Sequence, residues 1–454
     1  MNHADLVILG GGSGGYACAF RAAQLGLSVT LVEKDKLGGT CLHRGCIPTK
    51  ALLHAAEVAD TARDGDRFGV KSSVEGIDLT AVHAYKDGVV DRLYRGLRGL
   101  AEERGVTVVE AAGTLVAPGT VEAGGQRHRG RHVVLATGSY ARSLPGLEVG
   151  GPVVTSDQAL QLDTVPERAV VLGGGVIGVE FASVWRSFGA EVTVVEALPR
   201  LVPGEDAFAS KALARAFRRR GIKVRTGARC ERVVRDGDAV AVVLDSGERL
   251  EADVLLVAVG RGPHSAGHGY EQAGVALDDG YVVTDERLRT SLPGVYAVGD
   301  LVRGPQLAHR GFQHGIFVAE DIAGLNPAPV RDADLPRVTY CTPEIASVGL
   351  TEEAAAQAYG GAETVTYDLA GNGRSQILGT AGGIKLVRAP GGPVVGVTMV
   401  GERVGELVGE AQVICGTRAD VDDLARLVHA HPTQNEALGE ALLAMAGKPL
   451  HAHG

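Results

Sequence analysis

Two stretches of the chain carry the same order of apolar and polar positions. Residues 6–34 read LVILGGGSGGYACAFRAAQLGLSVTLVEK, and residues 169–197 read AVVLGGGVIGVEFASVWRSFGAEVTVVEA. Each opens on a short continuous apolar run, the pattern of a strand buried on both faces. A glycine-rich turn follows, and then apolar residues at helical spacing predict an amphipathic helix that ends at Gly26 or Gly189. A second, β-branched run closes on Glu33 or Glu196. The copies stay in register: Gly173 against Gly10 and Glu196 against Glu33 both differ by 163. A strand–helix–strand unit, present twice, predicts an α/β fold with two Rossmann-like domains.

Between the copies the pattern predicts a long helix over about 78–104 and a small antiparallel meander over 106–123. HVVLATGS, 132–139, returns as a central strand, while the second copy closes with another meander and ADVLLVAVGRGP. Residues 281–300 read as a return to the first domain, and beyond the proline-spotted stretch 324–336 the strands and helices lack a glycine fingerprint. These boundaries predict one dinucleotide domain over 1–147 and 268–335, a second over 148–267, and a C-terminal α+β domain over 336–454.

At 454 residues, 45% hydrophobic and 22% charged, the composition is that of an ordinary globular protein, and the net charge of −9 comes with no basic stripe. Nucleic acid is thereby excluded as an expected partner. No apolar run approaches the ~20 residues that span a bilayer, and MNHADLVILGGG lacks a basic leader. The expectation is a cytoplasmic protein, or one of an organelle matrix after processing.

The glycines of each copy suit a phosphate cradle. Gly10 permits the tight turn, Gly12 lets backbone N–H groups approach a pyrophosphate, and Gly15 lets the helix pack close to the strand; Gly173, Gly175 and Gly178 repeat this. Glu33 and Glu196 stand where a carboxylate accepts hydrogen bonds from ribose hydroxyls. At Glu196 that favours NAD over NADP, with Arg200 the one dissenting side chain, read as a surface arginine. Two dinucleotide sites in one chain, with a cysteine pair between them, predict a resident flavin and an exchangeable nicotinamide.

GGTCLHRGCIPTK, 38–50, holds Cys41 and Cys46; Cys18, Cys230, Cys341 and Cys415 are scattered singly and read as buried residues. A zinc site would need two further ligands at suitable spacing, and none follows. A structural disulfide conflicts with the expected compartment. A catalytic dithiol remains, near the start of a helix read from TKALLHAAEVADTA after Pro48, where a helix N-terminus lowers a thiol's pKa.

Together GGTCLHRGCIPTK, the two fingerprints, ATGS (136–139), GVYAVGD (294–300), PEIASVGLTE (343–352) and HAHPTQNEALGEA (429–441) resemble the pyridine nucleotide-disulfide oxidoreductases over essentially the whole chain, the dihydrolipoamide dehydrogenase branch most closely. The resemblance implies that Cys41 is the interchange thiol and Cys46 the charge-transfer thiol beneath the flavin. It also places Gly39, Thr40, Thr137, Gly138, Asp300 and Ala308 at the FAD site, Gly260 among the cofactor contacts, and Lys50 and Glu180 as a pair near the reacting rings. The C-terminal domain would mediate homodimerisation. His431, oriented by Glu436, would act as the base, completing the partner subunit's site; from sequence alone Thr433 and Glu436 also fit a capping box.

The implied activity is oxidation of protein-bound dihydrolipoamide by NAD⁺, with lipoyl domains and the acyltransferase core of 2-oxoacid dehydrogenase complexes, or the glycine cleavage system, as partners. The rival is an NAD(P)H-dependent disulfide reductase such as mycothione reductase. Glutathione-type reductases would want basic residues where Glu196 stands, and mercuric reductases a C-terminal cysteine pair that KPLHAHG lacks. Within the redox loop, His43 and Arg44 replace the Asn-Val common in the family.

Overall fold

The computed structural model describes residues 3–237 and 239–452. The chain forms two units, the first made of 1–52, 80–142 and 260–332, the second of 53–79, 143–259 and 333–454. The first unit begins with β1 (His3–Leu9), α1 (Ser13–Gln24) and β2 (Val29–Glu33), followed by α2 (Gly39–Arg44) and α3 (Cys46–Arg63), which starts in this unit. After α4 (Leu79–Glu103) come β3 (Thr107–Glu110), β4 (Gly113–Ala117), β5 (Thr120–Ala123) and β6 (Gln126–Leu135).

These strands form a sheet in the order β3-β2-β1-β6-β5-β4. β1 runs parallel to β2 and β6 with Leu6 opposite Val29 and His132, and strand Val295–Ala297 returns to pair parallel with β6. Leu6, Val7, Ile8, Leu31, Val133 and Val134 are fully buried, as continuous apolar strands covered on both faces should be.

The predicted meander is corrected at its start. Thr107–Glu110 pairs parallel with β2, Thr30 opposite Thr107, and so extends the central sheet at its edge. Only β4 and β5 run antiparallel, onto the first half of β6. A four-residue β-branched run announces a strand, but its partner is chosen by distant packing.

In the second unit the repeat recurs as strand Arg168–Leu172, helix Val176–Phe188 and strand Glu191–Glu196, inside a parallel sheet with Val254–Val257 and Lys223–Thr226. Cys230–Asp236, Ala239–Leu244 and Arg249–Ala252 form the expected second meander. A five-stranded antiparallel sheet, with Val394–Gly401 central and buried throughout, supports the C-terminal helix Glu436–Met445. Among the described residues no helix is long and apolar enough to cross a membrane.

Candidate active site

The turn after β1 is as tight as the glycines suggested. Gly10 sits at φ +107°, and a Cβ there would stand 2.3 Å from the Ala136 carbonyl oxygen. A Cβ on Gly15 would lie 1.8 Å from the Gly10 oxygen, so α1 touches the turn backbone at that point. Gly12 caps α1 with no side-chain hydrogen bond, and the helix's first turn holds no acid. Its N–H groups are left for an anion from outside the helix.

Glu33 closes the rim: Oε2 accepts the Gly11 N–H at 2.6 Å and Oε1 the Asp35 N–H at 2.8 Å. Each oxygen keeps a lone pair for a further donor. Gly39, the first residue of α2, lies against the same turn, where its Cβ would stand 2.7 Å from the Gly12 Cα.

Helix Ala308–Ile322 brings a second uncapped amino end to this place. Its N-cap is Leu307 and its first turn is free of acids. Two glycines of that helix permit the approach: a Cβ on Gly311 would strike Ser13 Oγ at 2.6 Å, and one on Gly315 the Gly14 oxygen at 2.3 Å. Sequence reading singled out neither, although their i,i+4 spacing is the signal of close helix contact. Asp300 follows Gly299 in a single helical turn and accepts Ser139 Oγ–H at 2.6 Å, while Arg261 Nε donates to that Ser139 oxygen at 2.8 Å.

Thr137 Oγ1 donates to the His264 carbonyl at 2.7 Å and meets Tyr270 OH at 3.0 Å; the Gly138 carbonyl accepts His264 N–H. Gly260, in the first unit, accepts the Arg142 N–H through its carbonyl. His314, also missed from sequence, is buried, and its Nδ1 accepts the Gly299 N–H at 3.3 Å. Burial, reinforced by the Arg310 charge, pushes its imidazole down to about 3. A neutral ring is what an accepting Nδ1 requires.

The cysteine pair lies at a break between helices. α2 carries Cys41, Gly45 leaves the helical region at φ −145° and ψ −112°, and α3 starts on Cys46 itself, three residues before the predicted start. Pro48 falls in the first turn of α3, where the missing N–H costs nothing. A Cβ on Gly45 would be 2.9 Å from the Thr40 carbonyl oxygen, so the break is compact.

Both cysteines are free thiols. The hydrogen bond that Cys41 makes to Cys46 pushes the Cys41 thiol far up, burial and charge on Cys46 add to this, and Lys50 opposes it. The two sulfurs thus share one proton-dependent contact. Tyr16, on α1, faces the same pair: burial, followed by charge on Cys41 and Cys46, pushes its phenol up to about 12. Of the other cysteines Cys18 and Cys341 are buried as expected, whereas Cys230 and Cys415 are half-buried.

In the second unit a Cβ on Gly178 would stand 1.9 Å from the Gly173 oxygen, and Gly175 caps the helix without a side-chain bond. Glu196 accepts Gly174 N–H and Leu198 N–H, both at 2.7 Å. Arg200 is occupied locally, donating to the Pro203 and Glu205 carbonyls. Glu180 is buried and accepts the Tyr340 N–H at 2.9 Å.

His431 Nδ1 meets Glu436 Oε1 at 2.8 Å, and among the described residues nothing bonds Nε2 of this exposed ring. The expected capping box is half present. Glu436 Oε2 accepts Thr433 N–H at 2.7 Å, but Thr433 Oγ1 turns back to the Ala430 carbonyl, and the helix begins at Glu436. Burial pushes the Glu436 carboxyl up; the Thr433 N–H and the His431 contact outweigh it and hold the group below its ordinary value.

Residues 4–315 match the pyridine nucleotide-disulphide oxidoreductase model, and residues 335–442 match the dimerisation domain of the same family. The chain belongs to the pyridine nucleotide-disulphide oxidoreductases. It is 38% identical to the dihydrolipoyl dehydrogenase of Bacillus subtilis, covering 98% of this chain and 99% of that one. Against the dihydrolipoyl dehydrogenase of Thermus scotoductus the identity is 39%, over 99% of both. Among solved structures, LpdA from Mycobacterium tuberculosis superposes with a TM-score of 0.91 at 27% identity, covering 98% of this chain and 100% of LpdA.

Pyridine nucleotide-disulphide oxidoreductases of the dihydrolipoyl dehydrogenase type use FAD and NAD, and both cradles fit such groups. Beside Gly12 a Cβ would meet only the Gly39 Cα at 3.9 Å, and beside Gly175 nothing within 4 Å. The buried Gln306 amide nitrogen, two residues before Ala308, meets no acceptor among the described residues, the condition of a donor kept for a ligand. Sequence reading missed it because a single glutamine in a loop carries no pattern.

Proposed function

We propose that this pyridine nucleotide-disulphide oxidoreductase is a dihydrolipoyl dehydrogenase, oxidising protein-bound dihydrolipoamide with NAD⁺. The observation that carries the reading is the thiol-to-thiol contact of Cys41 and Cys46 in the unit that holds the first dinucleotide cradle. The shared name of relatives matched end to end supports the substrate class.

In the proposed cycle His431 Nε2 removes a proton from one substrate thiol, and the thiolate attacks Cys41 Sγ of the Cys41–Cys46 disulfide. Cys46 leaves as thiolate. The second substrate thiol attacks the substrate sulfur of the mixed disulfide and expels Cys41, its proton passing to the departing Cys41 sulfur while the first proton stays on His431, and lipoamide is released. Cys41 then holds its proton toward Cys46, with the Lys50 cation nearby. FAD held at the Gly10–Gly15 cradle would supply a two-electron acceptor for the dithiol, and a nicotinamide held at the Gly173–Gly178 cradle would supply the final hydride acceptor.

On this reading 1–147 with 268–335 hold FAD through Gly10, Gly12, Gly15, Glu33, Gly39, Thr40, Thr137, Gly138, Asp300 and Ala308. Residues 148–267 hold NAD through Gly173, Gly175, Gly178 and Glu196, with Gly260 a further cofactor contact and Lys50 and Glu180 close to the reacting rings. The dimerisation domain, 336–454, presents His431 and Glu436 to the partner subunit's dithiol. The protein works in the cytoplasm on lipoyl groups carried by a 2-oxoacid dehydrogenase complex or the glycine cleavage system.

A turnover comparison tests this. Dihydrolipoamide with NAD⁺ should be the fast pair, and Cys41→Ser should remove at least roughly a thousandfold of that rate, as loss of a covalent nucleophile does. Faster NADH oxidation by mycothiol disulfide or glutathione disulfide would replace the assignment.

A further inference from the structure

The two residues that depart from the family pattern, His43 and Arg44, both tie α2 down. His43 Nε2 lies 2.8 Å from the Leu37 carbonyl oxygen. A carbonyl only accepts, so Nε2 carries the proton. The same ring stands edge-on to Tyr94 of α4, centroids 5.2 Å apart. Arg44 Nη1 reaches Asp35 Oδ2 at 2.9 Å, a half-exposed pair worth little alone.

Both tethers end on the segment 35–37, which belongs to the dinucleotide cradle. Asp35 N–H donates to Glu33 Oε1, Glu33 Oε2 takes the Gly11 N–H, and Gly38 N–H donates to the Gly11 carbonyl at 2.9 Å. Just past His43 and Arg44, α2 has no continuous helix to steady it, because Gly45 breaks the path to α3. Six residues do not hold a helix in place on their own. The position of Cys41 relative to Cys46 is thus set by what grips the His43–Arg44 end of α2.

We propose that His43 is a positioning residue that pins the Cys41 helix to the loop behind Glu33, so that the thiol contact between Cys41 and Cys46 depends on this pin. The inference rests on the reading of Cys41 and Cys46 as the redox pair. With the pin removed, α2 moves at its Arg44 end, and Cys41 loses both its bond to Cys46 and its cover.

The test is alkylation of the dithiol-reduced, flavin-loaded full-length dimer by iodoacetamide, with labelled Cys41 and Cys46 quantified separately by mass spectrometry. In His43→Leu the Cys41 rate should rise about fivefold, the factor one hydrogen bond of ordinary net strength is worth. His43→Gln, whose amide still donates to the Leu37 carbonyl, should stay within about twofold of wild type by the same reasoning. Wild-type reactivity in His43→Leu, or failure of His43→Gln to rescue, overturns the proposal. Should His43→Leu not fold, His43→Phe, which keeps a ring beside Tyr94 but cannot donate to the Leu37 carbonyl, carries the measurement with the same expected rise; no rise overturns it. Cys41→Ser with unchanged dithiol turnover would instead overturn the redox-pair reading itself, so the two failures are distinct.

Discussion

Single side chains in the first unit are held in one protonation state by their surroundings. His314 is the clearest: Nδ1 accepts the Gly299 N–H next to Asp300, and the ring is pushed down to about 3 by burial and by Arg310. Unfolding returns this histidine to a value near 6.5. Between those limits the unfolded chain binds the extra proton, so the stability that His314 contributes is complete above about pH 6.5 and is lost as pH falls toward 3. The slope is at most about 1.4 kcal/mol per pH unit. His314→Asn cannot take up a proton but can still accept from Gly299, so denaturant midpoints measured from pH 7 to pH 4 should fall less steeply than in wild type. An identical acid limb in both proteins would mean that His314 is not the group responsible. None of this was legible in the sequence, where His314 is one of 14 histidines; its buried ring meets the Gly299–Leu301 turn only once helix Ala308–Ile322 is packed in place.

At the scale of elements, the two strand–turn–helix units were legible because the physics is local. Where a turn carbonyl oxygen would stand within 2 Å of a Cβ on the facing helix residue, that residue can only be glycine, and the spacing repeats with the geometry. The same closeness gives a prediction that separates the cradles. Gly15→Ala places a methyl 1.8 Å from the Gly10 oxygen and should yield protein that has lost most of its visible flavin absorbance. Gly178→Ala does the same against Gly173 in the other unit. It should stay yellow, with a nicotinamide KM raised at least about tenfold, the factor that 1.4 kcal/mol of lost binding represents. A colourless Gly178→Ala protein would contradict the division of labour between the units. Less legible was the start of α3, which a proline at its third position concealed, and the edge strand β3, whose partner is β2 and not the hairpin beside it.

For the whole molecule the decisive claim is that His431 and Cys41 of different subunits make one site, which complementation measures. Cys41→Ser and His431→Gln chains, each inactive as a homodimer, should recover activity when co-expressed. Random pairing makes half the dimers mixed, each with one intact site of two, so about a quarter of wild-type turnover should return; no recovery would place the base and the dithiol of one site in the same chain. The amino-acid sequence by itself determined the two dinucleotide units, the spacing of Cys41 and Cys46, and the histidine followed by a carboxylate, since each is a short-range pattern whose residues act on near neighbours in the chain. Tertiary structure alone decided that α1 and helix Ala308–Ile322 bring two uncapped ends together, that Glu33 and His43 grip one loop, and that the Cys41 and Cys46 thiols meet. Those contacts join residues far apart in sequence, or depend on burial and on the exact angle at Gly45, and neither quantity is encoded by residue type at a fixed spacing.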